Sequence, residues 1–176
     1  MASKKGITIT AIILAAITGA SFLLWIVPQD VETTFVVSDY KNYLDGVKKI
    51  HEVLEESIEI EYENLRTGEI SPQDYISVTE VTSSQVTTQI SEFVTSKPSE
   101  EWQTSYINYM DALKSFNSYI VETKVLAKMI ENESTEDEMK ETLEKIDRLK
   151  SESIEFVKIS DQSRPGVIFT FDVLPN

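Results

Sequence analysis

The chain has a single histidine, His51, and no cysteine. An imidazole becomes a general base or a nucleophile's partner only beside a serine, cysteine or metal, and thiolate sites, disulfides and iron–sulfur clusters all require cysteine. Di-iron and di-manganese bundles place Glu-x-x-His on facing helices, but position 48, three residues before His51, is a lysine. A hydrogen-bonded core histidine is therefore the expected role of His51. Glu52, Glu55, Glu56, Glu59, Glu61 and Glu63 carry the hard oxygens that bind divalent cations. At helical spacing, however, they spread around outward faces and match no EF-hand loop, so a solvated acidic face is expected. None of the five glycines falls in a phosphate-binding pattern. These residues imply no catalytic, cofactor-binding or metal site, and hence no enzyme.

The charge balance sets the class of partner. Thirty acidic residues against sixteen basic ones give a net charge of −14. Lys4 and Lys5 precede a long apolar segment and every acid follows it. Such a surface repels phosphate backbones, and no Lys/Arg stripe with interleaved aromatics offsets that repulsion, so nucleic acid is not expected as a partner.

Ile7 to Val27 contains no charged residue. That length crosses a hydrocarbon core of about 30 Å at about 1.5 Å per residue. Pro28 stops the helix, Trp25 suits the far interface, and Lys4 and Lys5 on the short side favour a cytoplasmic N-terminus with the rest of the chain outside. Cleavage as a signal peptide after the small residues Thr18-Gly19-Ala20 would leave Phe22 to Val27 as an apolar new N-terminus, so an uncleaved anchor is expected in the cell membrane. Gly19, flanked by Ala15, Ala16, Ala20 and Ser21, makes one side of that anchor small enough for close helix–helix approach.

Lys4-Lys5-Gly6-Ile7-Thr8, basic residues and a glycine before a long apolar helix, resembles the processing site of type IV pilin precursors. The resemblance covers about the first 27 residues and implies cleavage after Gly6 and assembly into a filament. Many such pilins carry a glutamate where this chain has Ala11, and their heads are typically β-rich.

The remainder divides into a cytoplasmic tip (1–6), the anchor (7–27), a linker with a short strand (28–37), a helical domain (38–160) and a C-terminal turn and strand (161–176). Residues 31–37, VETTFVV, and 167–173, VIFTFDV, both alternate with period two and predict a two-stranded β element. Between them four helices are expected at about 38–67, 72–96, 98–131 and 136–160. The first shows the stripe Tyr40, Leu44, Val47, His51, Leu54, Ile58, Tyr62, Leu65, and Gly68 suits its end. The second starts at Ser71-Pro72 but is rich in Val, Thr and Ser, which favour strands. The third carries an unbroken seam from Trp102 through Tyr106, Tyr109, Leu113, Phe116 and Ile120 to Ile130. The fourth follows the capping box Thr135-x-x-Glu138 and is expected to pack through Met139, Leu143, Ile146, Leu149 and Val157. Short connections demand antiparallel neighbours, so the fold class is a mostly α, up-and-down four-helix bundle with both ends at the membrane-proximal base. That topology gathers Tyr40, Tyr43, Trp102, Tyr106 and Tyr109 at the base, where such rings serve either as core or as interface anchors.

A membrane helix followed by an extracytoplasmic four-helix bundle resembles, in architecture, the ligand-sensing modules of chemoreceptors and sensor kinases. The expected function is that of a non-catalytic, membrane-anchored accessory or assembly subunit that docks through the anchor and the aromatic base, with the bilayer and other membrane-protein subunits as partners and homo-oligomerisation left open. Alternatives are a helical module holding a small ligand and a pilin-like filament subunit. Candidate interaction residues are Gly19, Trp25, Tyr40, Tyr43, Trp102, Tyr106 and Tyr109, and Asn132-Glu133-Ser134 is a candidate N-glycosylation site.

Overall fold

Four helices account for nearly all of residues 39–166, the part of the chain that the computed structural model describes. We label them α1 (Tyr40–Arg66), α2 (Pro72–Thr95), α3 (Glu100–Glu131) and α4 (Glu136–Gln162). Every element among the described residues is α-helical, and none of these helices is long and apolar enough to cross a membrane. The expected anchor at 7–27 and the strands at 31–37 and 167–173 lie outside the described residues.

Local chemistry sets the helix ends. The Asp39 side chain accepts from the Asn42 amide at 3.0 Å, and the turn after α1 needs the positive φ (73°) that Gly68 adopts without strain. Ser71 caps α2 by accepting from the Asp74 amide, with Pro72 in the first turn. Thr135 and Glu138 form the reciprocal capping box of α4. Helix α3 starts at Glu100, two residues later than expected, because Ser99 is still extended and the acids of the first turn, Glu100 and Glu101, complement the helix dipole. Helix α4 runs two residues past the expected Ser160, to Gln162.

The β-branched and hydroxyl residues of α2 are helical because their hydroxyls turn back onto their own backbone. Ser77, Thr82, Thr87, Thr88 and Ser91 each donate to the carbonyl four residues earlier, at 2.8–3.1 Å. Val78, Thr82, Val86 and Phe93 form the buried side of α2, and the valines and Phe93 pack in the core where Leu113, Phe116 and Ile120 represent α3.

Helix α3 is the central element, burying Tyr106, Tyr109, Leu113, Phe116 and Ile120 on one side and Ser105, Ala112, Tyr119 and Leu126 on another. Its seam with α4 corrects the expected inward stripe of that helix. Leu143 is exposed, Met139, Leu149 and Val157 are half-buried, and the buried residues of α4 are Ile146, Ser153 and Ser160, spaced by seven. Ser105 Oγ donates to the Ser160 carbonyl at 2.9 Å, Ser160 Oγ returns a bond to the Ser105 carbonyl at 2.8 Å, and Ser153 Oγ donates to the Ala112 carbonyl at 3.0 Å. A serine reaches the main chain of a neighbouring helix only when the two backbones run close together. Small residues thus create this seam where apolar bulk was expected.

At the base, Lys48 pairs with Asp161, and Arg164 sits between Asp45 and Asp161. These bonds tie the start of α1 to the end of α4, so both ends of the described chain emerge at the same end of the bundle.

Candidate functional site

The aromatic residues at the base pack mainly on one another. Tyr40, Tyr43, Phe93, Trp102 and Tyr106 form ring pairs with centroids 5.2–6.4 Å apart, and the Tyr106 hydroxyl donates to the Tyr40 carbonyl at 2.9 Å. Tyr106 and Tyr109 are buried, whereas Tyr40, Tyr43 and Trp102 are half-buried at the edge of the cluster. Burial, and secondarily the charge of Glu92, raises the Tyr43 phenol above its ordinary range. Glu92, half-buried at the same end, is itself pushed up to about 7 by burial. Gly19 and Trp25 lie outside the described residues.

His51 is 2% exposed, as expected of a core histidine. Its Nδ1 lies 3.1 Å from the Tyr109 hydroxyl, and its ring packs edge-on to Tyr109 and 4.6 Å from the centre of Phe116. Burial, with a smaller contribution from Lys48, lowers its pKa to about 4, so the imidazole is neutral at pH 7. Burial also pushes the Tyr109 phenol up, and the nearby Ser153 hydroxyl is committed to the Ala112 carbonyl. His51, Tyr109 and Ser153 thus stand together at the meeting of α1, α3 and α4, with the hydrogen bond between His51 and Tyr109 as the link among their side chains. They line a cleft of about 220 Å³ between α1 and α4, with Glu52, Glu55 and Val157 also on its walls. Burial, then the charge of Glu59, raises the Glu55 carboxyl.

The acids of α1 do not all face outward. Glu61 is buried, with Asn64 Nδ2 donating to it at 3.2 Å, because it continues the buried series Leu54, Ile58, Glu61, Leu65 at spacings of four and three. Among the described residues no three His, Asp or Glu side chains converge on a point where a cation could sit.

A second concavity is a groove of about 580 Å³ between α2 and α3. Glu80, Ser84, Thr87, Thr88 and Ser91 form one wall, and Val121, Lys124, Val125 and Lys128 the other. Val121 and Val125 are 45% and 39% exposed. Lys124 bridges the helices to Glu80 at 2.7 Å and holds that carboxyl below its usual range. The sequence signal for this surface is the run Val81–Ser91, eleven residues without a charge in so acidic a chain. Asn132 caps the far end of α3 and is exposed. No family model matches the chain, and comparisons with curated proteins and with solved structures found no match either.

Proposed function

We propose that this chain is a non-catalytic interaction protein, held at the cell membrane by residues 7–27, whose bundle presents the α2/α3 groove to a partner outside the cytoplasm. The observation that carries this reading is the charge-free stretch Val81–Ser91 of α2, whose Ser84, Thr87, Thr88 and Ser91 line the groove beside the exposed Val121 and Val125 of α3, in a protein of net charge −14. Charged side chains are depleted at the centres of protein interfaces, whereas an exposed face with no partner has no reason to lack them. Asn132, exposed at the end of the bundle opposite to residues 39 and 166, is accessible to a glycosylating enzyme outside the cytoplasm.

The test is affinity capture of the tagged full-length chain from gently solubilised native membranes, comparing the parent with Thr88→Arg and Thr88→Ser. Stoichiometric recovery of a partner that Thr88→Arg abolishes and Thr88→Ser retains supports the reading. Recovery that is insensitive to Thr88→Arg contradicts it.

A second reading, a small-ligand module, draws support from the α1/α4 cleft and from His51 Nε2, which is buried without a hydrogen-bond partner. Because His51 is the only histidine, its imidazole resonances report on that cleft alone. A screen of small hydrogen-bonding compounds that moves none of those resonances counts against it.

A further inference from the structure

The α2/α3 groove has its own chemistry, and that chemistry selects a partner. The exposed hydroxyls of Thr87, Thr88 and Ser91 already donate to the carbonyls of Ser83, Ser84 and Thr87, at 2.8, 3.1 and 3.0 Å. A hydroxyl whose proton is used inside its own helix makes little further demand when water leaves, and its methyl or methylene group is what a neighbour meets. Together with Val81, Val121 and Val125, this face can be covered at low desolvation cost.

We infer that the occupant of the α2/α3 groove is a second copy of this chain, related by a two-fold axis running along the bundle. The inference rests on the interaction reading above and names its partner. Two copies of an acidic protein repel through most of their surfaces, and this face bears two lysines, Lys124 and Lys128, against the single acid Glu80. Glu80 and Lys124 stand at one height, since they are bonded to each other across the groove at 2.7 Å. Two copies standing on one membrane share that height. A two-fold axis along the bundle therefore sets Glu80 of each opposite Lys124 of the other, and the face is complementary to itself. Copies on one membrane are also confined to a thin layer, which raises their effective concentration, so a modest interface is sufficient.

In this arrangement α2 of each copy lies against α3 of the other, so residues that share a height on the two walls of the groove meet across the axis. The natural chain has no cysteine, so a single introduced thiol forms a disulfide only with another copy. The experiment co-expresses full-length copies carrying Ser84→Cys, on α2, with copies carrying Val121→Cys, on α3, in their membrane, with Glu144→Cys on the exposed side of α4 replacing Ser84→Cys in the reference mixture, followed by mild oxidation. The expected result is a mixed dimer joining Ser84→Cys to Val121→Cys that forms several-fold faster than one joining Glu144→Cys to Val121→Cys.

Equal rates for the two mixtures, or no dimer between Ser84→Cys and Val121→Cys, overturn the second copy as the occupant. Reaction with a membrane-impermeant maleimide then separates this failure from that of the parent reading. If the α2 thiols are shielded and form no dimer, something other than a second copy covers the face, and the interaction reading survives without the dimer. If the α2 thiols react as fast as Glu144→Cys and form no dimer, both readings fall.

Discussion

Leucine at position 153 distinguishes two geometries for the contact between α3 and α4. In a bundle of ordinary spacing, a leucine at an inward position of the heptad series Ile146, Ser153, Ser160 would bury its side chain and stabilise by about 1.5–3 kcal/mol. In the structure, Ser153 is buried and its hydroxyl lies 3.0 Å from the main-chain oxygen of Ala112, so the added side-chain atoms have nowhere to go. Overpacking costs roughly 1–3 kcal/mol and the lost hydrogen bond about 1 kcal/mol more, so Ser153→Leu should destabilise by about 2–4 kcal/mol. Ser153→Ala, which keeps the close approach and loses only the bond, should cost about 0.5–1 kcal/mol. Urea titration of the full chain in mild detergent, followed by far-ultraviolet circular dichroism, measures both. The midpoint should fall with the slope unchanged. A Ser153→Leu protein as stable as the parent, or more so, would refute the close-packed seam.

Other perturbations test the buried ionisable groups and the helix caps. With its folded pKa lowered to about 4 from 6.5, His51 binds its proton more readily in the unfolded chain, so its contribution is full above pH 6.5 and is lost as pH falls towards 4. That loss amounts to about 3 kcal/mol, and His51→Gln should remove this slope from the stability profile. Glu92 acts in the opposite sense: its folded pKa is raised to about 7 from 4.5, so stability is lost as pH rises through that interval. Glu92→Gln should therefore gain on the parent progressively from pH 4.5 to 7 and hold that gain above, by an amount reduced because the group is half exposed to solvent. Thr135→Ala removes the capping box and should cost about 1 kcal/mol in the same urea titration.

The helices were readable because their signals are local. Ser71-Pro72 and Thr135-x-x-Glu138 mark starts that the structure uses, and the apolar stripe of α3 lies on its buried side. His51 was legible as a core residue because no partner chemistry accompanied it. The α3/α4 seam was not legible, since Ser153 and Ser160 look like surface residues until the register of two helices sets them against Ala112 and Ser105. Glu61 was misplaced for a related reason: a carboxylate reads as outward-facing, and only the spacing Ile58, Glu61, Leu65 reveals its side of the helix. The groove is a product of two helices, so its outline could not come from either one. Its clue was the absence of charge from Val81 to Ser91, which also weakened the helical reading of the same residues.

The most direct test of the proposed docking face compares Thr88→Cys with Glu144→Cys, each in the full-length chain, reacting with a membrane-impermeant maleimide in native membranes and again after purification and dilution in detergent. If the α2/α3 groove is covered in the membrane, Thr88→Cys reacts several-fold more slowly there than after dilution, while Glu144→Cys reacts at the same rate in both. Equal rates for Thr88→Cys in the two settings would contradict the account.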